Sequence, residues 1–150
     1  MTVMYSHGFE QTLEKTDGTV PNGDDNLFTI SGAPILVTHF YGIVSTIIGN
    51  NASTCTIQHA CTDPAADIAL STAVRVDTDA VGTTYYIDNT ALGVFTPVTA
   101  GSVIIPALML PWLLTPGNLQ ATFSAANTGA IRWFIVYKML SQYSKVIAAA

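Results

Sequence analysis

From residue 26 onward the apolar positions recur every second residue, the period of a β-strand with one face turned to a core. The pattern is sharpest over residues 119–140, LQATFSAANTGAIRWFIVYKML. Leu119, Ala121, Phe123 and Ala125 fall on one face, and Gln120, Thr122 and Ser124 on the other. Ile131, Trp133, Ile135, Tyr137 and Met139 then form an unbroken apolar face. Two strands are predicted here, joined by a turn at Asn127-Thr128-Gly129. Further strands are expected at 27–30, 35–48, 53–60, 68–76, 84–87, 94–105 and 108–114. Between them stand Ser31-Gly32-Ala33-Pro34, Gly49-Asn50-Asn51, Thr62-Asp63-Pro64 and Thr115-Pro116-Gly117-Asn118, which carry the residues that turns require. Gly42 interrupts the long strand 35–48, and a bulge or corner there would let one strand serve two sheets. Short strands separated by such turns predict an all-β chain, an antiparallel β-sandwich of the jelly-roll kind.

Residues 1–26 read differently. They are polar, with turn signals at Asp17-Gly18 and Pro21-Asn22-Gly23. Tyr5, Phe9 and Leu13 recur at a spacing of four, which predicts a short amphipathic helix over residues 6–15. A helix of that length holds only when packed on something. The expected organisation is an extended N-terminal arm, residues 1–26, ordered by a neighbour or by the chain's own body, ahead of a β-sandwich domain, residues 27–150.

Composition changes this picture in one respect. The 150 residues suit a single domain, but only 10% are charged, against about 25% in ordinary globular chains. So little charge predicts a surface covered by other subunits in the working state. The net charge of −5 is uneven. Residues 1–26 hold Glu10, Glu14, Asp17, Asp24 and Asp25 against Lys15, and the rest of the chain is nearly balanced. No basic patch exists, so direct nucleic-acid binding is not expected. The longest apolar stretch, residues 103–114, contains Pro106 and Pro111 and falls short of the roughly 20 residues of a membrane-spanning helix. The opening MTVMYSHGFEQ lacks the basic and apolar regions of a secretion signal, so the chain is expected to be made in a cytoplasm and to work without a membrane.

Candidate chemistry is sparse. The histidines are His7, His39 and His59, and no nucleophile elbow accompanies them. Cys55, His59 and Cys61 share a strand face and are zinc-type ligands. A straight strand spreads the two cysteines over roughly 20 Å, too far for one ion or for a disulfide. Reduced, buried thiols are expected instead. Asp77-Thr78-Asp79 lacks the spacing of a calcium loop. No glutamate follows residue 25, which weakens a paired-carboxylate hydrolase. No enzyme activity, metal or cofactor is expected. Trp133 reads as core. Trp112, after Pro111 at a strand edge, reads as an interface anchor or a sugar platform, with burial the commonest fate of such a residue.

The segments LFTISGAPILVTHFYGIV, AVGTTYYI and LLTPGNLQATFSAANTGAIRWFIVYKML resemble small structural proteins of tailed bacteriophages that coat or cement the head. The resemblance runs from about Leu27 to Leu140 and is most specific from Thr115 to Tyr137. At Met139-Leu140 the chain departs from the pattern, which would carry a proline before the leucine. The resemblance implies a head decoration protein, often a homotrimer, whose partners are the major capsid protein and other copies of itself and whose place is the virion head surface. The arm would then reach a neighbour through Tyr5, Phe9 and Leu13, with Glu10 and Glu14 as its charges and Trp112 as a further contact. The alternatives are a carbohydrate-binding head domain of a spike or fibre, for which Trp112, Tyr85 and Tyr86 would serve as platforms, and another tail or neck component.

Overall fold

The computed structural model describes residues 9–88, 95–98 and 109–150. Within them the chain forms twelve strands: β1 (Glu10–Val20), β2 (Gly23–Ser31), β3 (Ile35–Thr46), β4 (Thr54–Thr62), β5 (Ala65–Ala69), β6 (Val74–Arg75), β7 (Thr84–Ile87), β8 (Phe95–Val98), β9 (Trp112–Leu114), β10 (Gly117–Phe123), β11 (Asn127–Met139) and β12 (Lys145–Ala148). They make two six-stranded antiparallel sheets. The first runs β1-β11-β3-β7-β8, with β9 also on β3, and the second runs β12-β2-β10-β4-β5, with β6 also on β4. The expected β-sandwich is therefore the fold. The pairing is nested: β1 with β11, β2 with β10, β3 with β7, β4 with β5. That is the order made by folding one long hairpin over on itself, the strand order of a jelly roll, to which β12 adds an edge beside β2.

The apolar alternation supplies the core. Ile131, Trp133, Ile135 and Tyr137 of β11 face inward with Ile35, Val37, Phe40 and Val44 of β3, and they meet Leu119, Ala121 and Phe123 of β10 and Cys55 and Ile57 of β4. Trp133 is fully buried and stacks on Phe40, ring centres 5.4 Å apart. Two glycines make room for its indole. A Cβ added at Gly42 would lie 2.6 Å from the ring, and one at Gly18 would lie 3.0 Å from it. Gly42 is thus neither a bulge nor a corner. Strand β3 stays in one sheet along its length, and its pairing with β11 slips elsewhere, at Ala130/Ile131 and Val136/Tyr137. Replacing Gly42 by alanine is expected to overpack a rigid ring and cost about 1–3 kcal/mol in urea unfolding. A neutral result would mean that the ring moves aside.

The N-terminal region is corrected most. Residues 10–20 are strand β1, not a helix, and pair with β11 from Glu10↔Lys138 to Val20↔Asn127. Residues 6–8 of the expected helix, with Tyr5, lie outside the described residues, and Phe9 stands just ahead of the strand. From Glu10 on, the segment read as an arm is ordered by the chain's own body, and residue 26 falls inside β2. Asp17-Gly18 is no turn but an irregularity in the β1–β11 pairing. Asn127-Thr128-Gly129 likewise opens β11, and the crossing between sheets is made at 124–126. The expected strand 68–76 is two pieces, β5 and β6. Of the expected strand 94–105, only β8 lies among the described residues.

One side of the sandwich is closed by charge. Lys15 points inward from β1, opposite Trp133, and is 8% exposed. Its Nζ lies 2.9 Å from Oδ1 of Asp25 on β2 and donates a second hydrogen bond to the Asn26 carbonyl. This pair ties an edge strand of the first sheet to the second. The other oxygen of Asp25, Oδ2, is buried with no hydrogen-bond partner.

Candidate interaction surface

The two outward sides of the sandwich differ in chemistry. On the second sheet the outward positions of β2, β10 and β4 are mostly amides, hydroxyls and a carboxylate that bond to one another, while Ile147 on the edge strand β12 stands outward and exposed opposite Thr29. Gln58 donates to Gln120 (3.0 Å), Gln120 donates to Asn26 (2.8 Å), and Thr122 donates to Asp24 (2.7 Å). Thr29 donates to Asn118 at 2.9 Å. This is the polar exterior that alternation predicts for a one-sided sheet.

On the first sheet the outward side is largely apolar. Register places Phe134 of β11 opposite Tyr41 of β3, and Tyr41 opposite Tyr86 of β7. The Phe134 and Tyr41 rings stack 4.8 Å apart. Val136, Ile43 and Leu36 continue this side, half-buried. A cavity of about 240 Å³ opens beside the aromatic row, lined by His39, Tyr41, Tyr86, Met109 and Val136 among others. Two of the charges on this side form an ion pair. Arg132 bridges Glu14 at 2.6 Å and lies 5.5 Å above the Phe134 ring. Glu10 faces Lys138 across the strands and accepts a 2.8 Å hydrogen bond from Thr38. At one end of the sheet the apolar surface is fully open. Phe9 (74% exposed) precedes β1, Leu113 (64%) sits on β9 opposite Leu36, Leu140 follows β11, and Tyr143 (70%) lies in the connection to β12.

The anchors read from the sequence are dispersed by the fold. Tyr5 lies outside the described residues. Phe9 is exposed, but Leu13 packs against the core from the inward side of β1. Glu10 and Glu14 take part in the outward pairs just described. Trp112 lies opposite Val37 on the inward side, half-buried, with its ring 5.7 Å from Phe40. The outward aromatic row was not among the expected contacts. On β11 its signal lay in the second parity, where Phe134 and Val136 are apolar, whereas on β3 Leu36 and Tyr41 differ in parity and reach one side only through the register slip at Thr38. A strand apolar on both parities is one covered on both faces.

Of the candidate chemical groups, Cys55 and His59 are built into the core and Cys61 is half-buried. Cys55, His59 and Cys61 do share a face, and both thiols are free. Burial, with a smaller effect from Asp25, pushes the Cys55 thiol far up and out of reach of ionisation. Burial also lowers the His59 pKa, partly offset by a backbone hydrogen bond at Thr115, and its Nδ1 lies 3.2 Å from the Cys61 sulfur. His39 is half-buried, its Nδ1 3.3 Å from the Thr38 hydroxyl. His7 lies outside the described residues. Asp77 bridges Arg75 at 2.6 Å, and Asp79 accepts from the buried Tyr85 phenol. Burial first, and then Asp79, raises the Tyr85 pKa. Among the described residues no cluster of His, Cys, Asp or Glu is arranged to hold a metal ion.

Comparison with protein-family models, with curated proteins and with solved structures finds no match to this chain. The functional reading therefore rests on the surface itself, on which the described residues show a half-buried apolar and aromatic outward side with one ion pair at its β1 margin.

Proposed function

We propose that the protein is a structural component of a virus particle, a decoration protein that binds the outer surface of a tailed-phage head and stabilises it. The observation that carries this reading is the contrast between the two outward sides, one a self-satisfied polar ladder fit for water, the other apolar and aromatic. The jelly-roll strand order supports it, since this architecture recurs in capsid proteins, as does the resemblance of residues 27–140 to head-coating proteins. The work is mechanical. Each copy contributes a modest contact, and repetition over many equivalent sites turns modest contacts into a firm lattice.

A sugar-binding head domain needs aromatic platforms open to solvent. Trp112 is turned inward and half-buried, Tyr85 is fully buried and Tyr86 nearly so, so that reading has lost its candidates. A tail or neck component would share the same surface. Co-sedimentation with heads that lack this protein separates the two. Saturable pelleting at a fixed ratio to the major capsid protein is expected, and protein left wholly in the supernatant would sink the head-decoration reading.

A further inference from the structure

We propose that Cys61 is the reactive thiol of this chain, made nucleophilic by His59 beside it, and the site at which the protein takes up a mixed disulfide from a low-molecular-weight disulfide. The proposal stands apart from head decoration and is tested without heads.

The two cysteines lie on the same side of β4, and the fold treats them oppositely. Cys55 is wholly buried and stands in register between Phe123 of β10 and Val74 of β6, both buried. Cys61 is half-buried and lies near the end of β4, beside the exposed turn at Asp63-Pro64. Its register partners are Gly117 of β10 and Ala66 of β5, and Ala66 is exposed. A reagent therefore meets no bulky cross-strand neighbour at Cys61.

The chemistry comes from His59, on the same side of the strand. Nδ1 of its ring lies 3.2 Å from the Cys61 sulfur, within reach for a nucleophile and its base. The ring is 3% exposed. The Thr115 backbone biases it, yet Nε2 is buried and makes no hydrogen bond of ordinary geometry. Burial keeps the imidazole neutral near neutral pH, and a neutral ring can take a proton. No charged group contributes to that shift. The ring's cross-strand neighbours, Leu119 and Ile68, are apolar, and the acids nearest along the chain are Asp63 in the turn and Asp67, which register places on the other side of the sheet.

In the reaction the Cys61 proton passes to Nδ1. The thiolate attacks one sulfur of the incoming disulfide, and a new S–S bond forms as the old one breaks. The departing thiolate takes the proton back from the imidazolium. Cys61 is oxidised to the mixed disulfide and the other half of the reagent is reduced to a thiol, so no further oxidant enters.

The test is reaction of the native full-length protein with dithiobis(nitrobenzoate), followed by release of the coloured thiolate and by peptide mass mapping. One equivalent is expected, at Cys61, and Cys55 should react only after urea unfolding. Between the ionisations of His59 and of a free thiol, the population of the ion-paired form does not change with pH. The rate should therefore stay nearly level from about pH 6.5 to about pH 8, where an unassisted thiol rises about tenfold per unit. His59→Gln should restore that rise and slow the reaction near neutral pH at least about tenfold. Native protein in which Cys61 stays unlabelled overturns the proposal. So does a wild-type rate that climbs about tenfold per unit, or a rate unchanged in His59→Gln, since Cys61 is then only an accessible thiol. If His59→Gln also opens Cys55 to the reagent, the variant has lost its fold, and the wild-type profile alone decides.

Discussion

Replacing Trp133 by alanine is expected to lower stability by about 3–5 kcal/mol, a large part of the about 5–15 kcal/mol that holds a domain of this size together. The ring lies wholly inside, stacked on Phe40, between two glycines that exist as its seat. Backbone lies on both sides of it, so the neighbouring strands cannot collapse into the hole as a flexible side chain would. The measurement is urea unfolding followed by circular dichroism. A loss under about 1 kcal/mol would mean that the cavity closes, contrary to this account. The same geometry makes a sharper statement. Gly42→Ala, costly when the indole is present, should become neutral or favourable once Trp133 is alanine, because the clash has gone and a methyl group now fills space. Such a change of sign is coupling between residues in contact.

The second large effect is expected at Lys15. Lys15→Ala removes the cation but leaves Asp25 inside the closed side of the sandwich, with one oxygen newly bare and the other already without a partner. Breaking a buried pair from one side costs about 3–5 kcal/mol. Replacing both members, Lys15→Met with Asp25→Leu, should recover most of that, since an apolar pair of similar volume escapes the desolvation cost. Because the pair is largely buried, with side chains 9% and 14% exposed, raising the salt concentration should change little. If the double variant were as unstable as the single one, the contact would be supplying something other than charge neutralisation, such as the hydrogen bond to the Asn26 carbonyl.

The architecture was legible where one parity of a strand is apolar without exception. Ile131 to Tyr137 declared β11, and Leu119 to Phe123 declared β10, because a period of two has no helical counterpart at that length. Strand β1 was hidden. Its apolar positions are few, and the spacing of Tyr5, Phe9 and Leu13 imitates a helix. What makes it a strand is the empty edge of β11, more than a hundred residues away, and tertiary pairing of this kind overrides local periodicity. Gly42 was seen but misread, since a glycine in a strand marks either a bulge or a close approach, and only the position of Trp133 distinguishes them. The apolar outward side was half legible. Phe134 and Val136 break the polar parity in plain view, whereas the alignment of Phe134 with Tyr41 and Tyr86 into one row depends on register, which no single strand contains. Trp112 attracted notice because it is a tryptophan beside a proline, but strand pairing turned its ring toward Phe40 and left Leu113 facing out.

Strand β11 has a consequence for how the chain comes to be folded. It joins the edge strand β1 to β3 and the rest of the first sheet, yet among the described residues it is the last strand of that sheet to be synthesised. At about 5–20 residues per second, translation leaves β1 and β3 waiting for seconds with their hydrogen-bonding edges unsatisfied. No intermediate short of residue 139 can contain the complete first sheet, so that sheet closes only once β11 has been made, at the slow pace of folds built from distant pairings. During that interval the nascent chain is at its most adhesive, and truncation anywhere before β11 should yield aggregates rather than a smaller domain.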